Sequence, residues 1–171
     1  QLLAALETAL ADRPPRPDRG KPRLPVDRVF TISGFGTVVT GTLTGGSLAV
    51  GDEMEIMPSA QKARIRGLQS HKEAIQSAAP GSRVAINLGG IGKEEVKRGD
   101  VIAASGLLQA TTLVDAHFRH LPDAGRPLKH NTLVKLFCGA AETIAHVRLL
   151  GDRELLPHFA VVVRHDVTWV R

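Results

Sequence analysis

The sequence predicts an all-β protein of two consecutive small antiparallel β-barrels, preceded by a short helix and a proline-rich linker. Three observations predict it. Apolar, β-branched residues come in short runs of strand-like alternation. Gly, Pro, Asp or Ser bounds nearly every run, and no long helical pattern follows residue 12. The runs fall into two sets, at 23–106 and 107–171. Many short strands at near-regular spacing are the signature of barrels and sandwiches.

Residues 1–12 read as the end of a helix. Leu2, Leu3, Leu6 and Leu10 form one apolar stripe with alanines between them. About ten residues are marginal as an isolated helix, so the stripe is expected to belong to a larger unit preceding it. Five of the ten prolines then fall within 13–25. Proline fixes φ and removes a backbone donor, so the stretch reads as a stiff, extended spacer. Residues 1–22 are therefore taken as helix end plus linker.

The first barrel is expected over 23–106. Strand-like runs stand at 26–32, 37–43, 54–57, 63–69, 83–88 and 101–104, and Ser33-Gly34-Phe35-Gly36 separates the first two. Val50-Gly51-Asp52 and Arg98-Gly99-Asp100 each precede a strand in the same way. A second set follows at 111–117, 132–137, 143–150, 159–163 and 167–170, with a loop at 121–127. Five strands leave an open edge, which proteins usually avoid. The second barrel is thus expected to be shortened or irregularly completed.

Composition narrows the class. Cys138 is the single cysteine, which excludes an internal disulfide framework and an all-cysteine metal site. No apolar run approaches the roughly 20 residues needed to cross a bilayer, and the first residues lack a signal-peptide layout. A cytoplasmic protein with no membrane partner is expected. The net charge of +5 weakly favours an anionic partner and is not concentrated in one block when the two barrel segments and the leading 1–22 are counted separately.

Enzymatic motifs are absent from the sequence. No GxxxxGK[ST] loop occurs, so no nucleotide-hydrolysing site is recognisable and this chain is not expected to be an enzyme. Gly34-Phe35-Gly36 is followed by strand pattern rather than helix, against a dinucleotide site. No G-x-S-x-G elbow accompanies the serines. His117 and His120 lack metal-ligand spacing, so no metal is expected. Arg98-Gly99-Asp100 reads as a turn before a strand, not as an adhesion motif.

The segment Arg23-Leu24-Pro25-Val26-Asp27-Arg28-Val29-Phe30-Thr31-Ile32-Ser33-Gly34-Phe35-Gly36-Thr37-Val38-Val39-Thr40-Gly41-Thr42 resembles the start of domain 2 in translational GTPases of the EF-Tu superfamily. Within it, the segment is most similar to the selenocysteine-specific elongation factors. Val50-Gly51-Asp52, Ala79-Pro80-Gly81-Ser82-Arg83-Val84-Ala85-Ile86-Asn87-Leu88 and Lys97-Arg98-Gly99-Asp100-Val101-Ile102 continue the resemblance in order. Over 107–171 it is weaker, carried by Cys138-Gly139-Ala140-Ala141-Glu142-Thr143 and the run 147–150, which resemble part of domain 3.

What the resemblance implies is a fragment. Its helix and linker would be the end of a G domain and its tether. GTP and Mg would belong to that G domain, the chain itself holding no cofactor. The implied partners are selenocysteyl-tRNA, the ribosome, and the G and mRNA-binding domains outside this sequence. In the superfamily the aminoacyl end of the tRNA lies between the G domain and one edge of domain 2. The matching positions here are Asp27, Arg28, Phe30, Thr40 and Arg83. EF-Tu carries an acidic residue where Arg28 stands and an asparagine where Arg83 stands. A selenol is considerably more acidic than the thiol reference of about 8.5, so selenocysteine is anionic near neutral pH. Two guanidiniums would attract the selenolate and leave a serine hydroxyl under-compensated.

Simpler readings stand beside these. Arg28 could be a surface arginine paired with Asp27, or Asp27 could serve to orient it. Arg83 could be an exposed strand-start arginine, Thr40 a β-former, and Phe30 a core residue. Arg119, Lys129, Lys135 and Arg148 are candidate tRNA-backbone contacts, with a solvated surface as their ordinary role. Two other functions compete: domains 2 and 3 of another EF-Tu-like GTPase, or a stand-alone RNA- or ribosome-binding barrel. The 4% aromatic content argues against base stacking and so against the latter.

Overall fold

β-Branched residues alternating with polar ones set the first barrel's strands, and glycines let neighbouring strands approach. The computed structural model describes residues 1–11, 13–14, 16–151, 153–156 and 160–168, the last stretch by its backbone. After helix α1 (Leu2–Ala11) come β1 (Arg23–Ile32), β2 (Gly36–Thr42), β3 (Leu48–Ala49), β4 (Glu53–Met57) and β5 (Gln61–Ser70). Then follow β6 (Glu73–Ile75), β7 (Ser77–Ala78), β8 (Arg83–Gly89) and β9 (Val101–Ala104). The strands run β4-β9-β1-β2-β8-β5, and β5 pairs back onto β4, closing a six-stranded antiparallel barrel. Strand β6 hangs on β5, and β3 pairs with β7 as a separate ladder. Closure removes the free edges that would invite association.

The barrel interior is aliphatic. Leu24, Val39, Ile56, Ile65, Ile86 and Ile102 are at most 1% exposed. Each such side chain contributes roughly 1.5–3 kcal/mol on burial. Gly41 is required by space: a Cβ there would lie 2.6 Å from Leu24 Cδ2 and closer still to the Pro25 carbonyl oxygen. Pro25 sits inside β1 opposite Val101, and the strand starts three residues earlier than the proline-rich composition suggested.

The second unit contains β10 (Leu113–Arg119), β11 (Leu128–Lys129), β12 (Thr132–Cys138), β13 (Ala141–Leu149), β14 (Glu154–Leu155) and β15 (Ala160–Thr168). Four strands form a sheet in the order β10-β15-β13-β12, and β11 pairs with β14. No pairing among the described residues closes this sheet. Among the described residues its core cluster comprises Val147, Leu149 and Leu155, with Ala116, Phe118, Leu128 and Val134 packed against them. The runs expected at 159–163 and 167–170 are one strand over 160–168, while residues 159, 169 and 170 lie outside the described residues. The two units touch where a Cβ on Gly99 would lie 2.9 Å from Ala141 Cα and one on Gly139 3.0 Å from Pro25 Cβ.

Helix α1 forms and buries none of its residues. One sequence expectation needs correction: the linker is not a free spacer throughout, because its second half is hydrogen-bonded to the barrel. Arg19 N and Lys21 N both donate to Gly45 O at 3.0 Å, and Ser47 N donates to Asp18 Oδ2 at 3.0 Å. Asp100 is 6% exposed and its carboxylate accepts a hydrogen bond from Lys97 N, while its own N–H donates to Lys97 O, so Arg98-Gly99-Asp100 is a turn.

Candidate functional site

A bulge in β1 builds the site. Val26 pairs with Gly41 and Arg28 with Thr40, leaving Asp27 as an extra residue in the ladder. Val26 and Val29 consequently both face the core, while Asp27 and Arg28 lie together on the outer surface. Arg28, Thr40 and Ala85 stand side by side across β1, β2 and β8. Arg83 is two residues from Ala85 along β8, hence on the same face. The structure thus brings Asp27, Arg28, Thr40 and Arg83 together.

Asp27 is the hub. The Thr40 hydroxyl donates to its Oδ1 at 2.7 Å. Arg83 binds it with both terminal nitrogens, Nη2 to Oδ1 at 3.0 Å and Nη1 to Oδ2. Partial desolvation pushes the Asp27 carboxyl up, but the hydrogen bonds from Arg83 and Thr40 and the charges of Arg83 and Arg28 together hold it below the usual carboxylate range. The hydrogen bond to Asp27 correspondingly raises Arg83 against a small opposing desolvation. The sequence suggested that Asp27 pairs with or orients Arg28; the structure gives that carboxylate to Arg83 instead. Arg28 is exposed and forms no ion pair among the described residues. Two guanidiniums flank one carboxylate, leaving a cluster with one net positive charge.

Phe30 is not a core residue. It is half-buried on the outer face, opposite Val38, while its neighbour Val29 packs on the core. Beside it lies a groove of about 370 Å³ that the sequence reading missed, lined by Ile32, Phe35, Val38, Leu68, Ala85 and Asn87 among others. Its signal was available: Val38, Ala85 and Asn87 lie at outward positions of their strands, and Phe35 stands at a turn tip, 65% exposed. Ala85 is the direct neighbour of Thr40, so the apolar groove begins one strand away from the charged cluster.

The four basic candidates of the second unit are not one cluster. Lys129 lies on the small β11–β14 ladder, opposite Glu154. Arg119, Lys135 and Arg148 share the outer face of the four-stranded sheet, at the levels of 160, 168 and 164 along β15. Four residues of strand separate these levels by roughly 13 Å. Lys135 is ion-paired with Glu142 at 2.6 Å. Arg148 is also engaged. No group of three His, Cys, Asp or Glu suited to a metal occurs among the described residues.

Within this closed six-stranded barrel, residues 36–103 match the family model described as elongation factor Tu domain 2, and the barrel belongs to that domain family. It is 43% identical over 135 residues to the selenocysteine-specific elongation factor of Desulfomicrobium baculatum, a match covering 79% of this chain and 21% of that protein. It is 44% identical over 101 residues to elongation factor 1-alpha of Pyrobaculum islandicum, covering 59% of this chain and 22% of that one. Elongation factor 1-alpha of Desulfurococcus mucosus is 30% identical over 167 residues, covering 92% of this chain and 38% of its own length. The chain thus spans about a fifth of the first of these relatives. Thr40 and Arg83 fall inside the matched domain, whereas Asp27, Arg28 and Phe30 precede it.

Proposed function

We propose that this chain supplies the barrel domains that hold selenocysteyl-tRNA in a selenocysteine-specific elongation factor, for delivery to the ribosome. One observation carries the reading: Arg28 and Arg83 flank Asp27 on one outer face, beside an apolar groove. The cluster's single net positive charge suits a single selenolate. A seryl hydroxyl leaves that charge uncompensated. The Arg83–Asp27 pair does not block this role. Arg83 is 52% exposed and Asp27 27%, and exposed pairs of this kind contribute only about 0–1 kcal/mol. A ligand anion can therefore share Arg83 at little cost. The groove next to it suits the flat, partly apolar nucleoside to which an aminoacyl group is esterified.

The parent protein is proposed to be a cytoplasmic GTPase, with GTP and Mg bound in a G domain outside this sequence. Arg119, Lys129, Lys135 and Arg148 remain proposed backbone contacts, the ion-paired Lys135 contributing least. The test uses the full-length factor with its nucleotide-binding domain. A charge-assisted hydrogen bond contributes roughly 1.5–3 kcal/mol, so Arg28→Ala with Arg83→Ala is expected to weaken selenocysteyl-tRNA binding about 10- to 100-fold. Seryl-tRNA binding should change little. Equal losses for both would end the selenolate reading and leave a general aminoacyl-tRNA-binding domain.

A further inference from the structure

A cleft of about 510 Å³, lined by Arg19, Lys21, Arg23, Gly45, Leu107 and Leu108, lies where the linker crosses the turn between β2 and β3. Its three cations come from one short strap, and all three are exposed. The backbone beneath them is fixed. Asp18 Oδ1 accepts from Gly20 N at 2.8 Å, and its Oδ2 accepts from the Ser47 amide and hydroxyl. Gly45 O accepts from Arg19 N and Lys21 N, and Arg23 and Thr44 exchange backbone hydrogen bonds at 2.8 Å. A Cβ on Gly46 would lie 2.7 Å from Lys21 N, so only glycine permits this approach.

The charge is concentrated here to a degree that counting by domain concealed. Residues 13–23 hold five basic residues and one carboxylate, which accounts for four of the chain's five net positive charges. That carboxylate, Asp18, is committed to Ser47 and Gly20. No ion pair joins Arg19, Lys21 or Arg23 to a carboxylate among the described residues. Three like charges on a pinned backbone create a local positive field that an anion relieves.

We propose that this cleft binds the phosphodiester backbone of an RNA, separately from the aminoacyl face. Arginine forks match phosphate oxygens in bidentate geometry, and lysine adds a point charge. No aromatic side chain lines the cleft to stack a base, so it grips phosphates rather than reading sequence. Small-ligand sites bury most of their ligand. Here the cations are exposed along a strap, which suits a backbone lying across them. The choice of RNA over another polyphosphate rests on the barrel's match to a translation-factor domain, and not on the selenocysteine reading.

The test measures binding of a short fluorescent RNA hairpin, carrying no amino acid, to the 171-residue chain at salt concentrations from roughly 50 to 200 mM. Each phosphate contact contributes close to one unit to the slope of log affinity against log salt, so Arg19→Gln, Lys21→Gln and Arg23→Gln should each flatten it by about one. The triple variant should lose about 10-fold or more in affinity at low salt while melting at the unchanged temperature, and Lys21→Arg should retain the slope. Lys93→Gln, outside the cleft, should leave the slope in place. An unchanged slope in the triple variant overturns the proposal, as does equal flattening by Lys93→Gln. Inorganic pyrophosphate or a polyglutamate peptide binding in a cleft-dependent way while the RNA does not bind overturns the RNA assignment. Because the hairpin is unacylated, none of these outcomes depends on Arg28 and Arg83.

Discussion

At the residue scale, two aspartates of one barrel respond to pH in opposite senses. Asp27 is held below its ordinary value of 3.8, because Arg83, Thr40 and Arg28 outweigh its partial desolvation. Its ionised form is favoured by folding, so its contribution is present above the unfolded value and disappears as pH falls through the lower folded one. Asp27→Asn should therefore cost up to about 1 kcal/mol at neutral pH and nothing in strong acid. Asp100 behaves conversely. Burial pushes it above 3.8, against the pull of the Lys97 amide and charge. The folded state binds this proton more tightly than the unfolded chain does, so stability declines as pH rises from the unfolded to the folded value and is level above it. Asp100→Asn should abolish that decline, raising the variant's stability relative to the parent between acid and neutral pH. Urea midpoints across the acid range check both. A difference of the same sign for the two variants would contradict the assigned environments.

At the element scale, what could be read from sequence was what alternation and turn residues encode. The long strands β5, β8 and β13 were visible because their buried and exposed positions alternate, and β1 and β2 because β-branched residues run between turn residues. The two-residue strands β3, β7, β11 and β14 were not, since a single ladder step leaves no periodicity. The site divided in the same way. Resemblance singled out Asp27, Arg28, Thr40 and Arg83, yet the bulge that puts Asp27 beside Arg83 arises from pairing between strands and has no signature within β1. That is why the sequence offers Arg28 as a partner for Asp27, and not a residue fifty-six positions away. The apolar groove was missed for a related reason: its walls come from separate strands. Strand contact also sets the next prediction. Gly41→Ala would push a methyl group against Leu24 and the Pro25 carbonyl, where β1 and β2 cross most closely. Overpacking of this kind costs typically 1–3 kcal/mol, and backbone cannot yield as a side-chain tip can. Chemical denaturation should place the loss at the upper end of that range, with the bulge and the Asp27 cluster beside it loosened as well.

At the scale of the whole molecule, stability is distributed unevenly. The first barrel is closed and holds sixteen buried residues in one cluster. Among the described residues the second unit's cluster holds three, and no pairing closes its sheet. Exposed Leu133, Phe137 and Ile144 lie on that sheet's outer face. Helix α1 buries nothing. Since burial of apolar area is the main stabilising contribution and each element must offset its own conformational entropy, these parts should not unfold together. The contact through Gly99, Ala141, Gly139 and Pro25 joins turn glycines to backbone and short side chains, and it is expected to couple the two units weakly. Native-state hydrogen exchange should therefore show α1 unprotected, β12 and β13 opening at an intermediate free energy, and β1, β2 and β8 opening only with global unfolding. Urea unfolding followed by amide exchange should resolve two steps. A single coincident transition for all strands would mean that the inter-unit contact couples the two units strongly. Under the proposed function, an aminoacyl-tRNA bound across both units would narrow the gap between the steps by favouring the state in which both are folded.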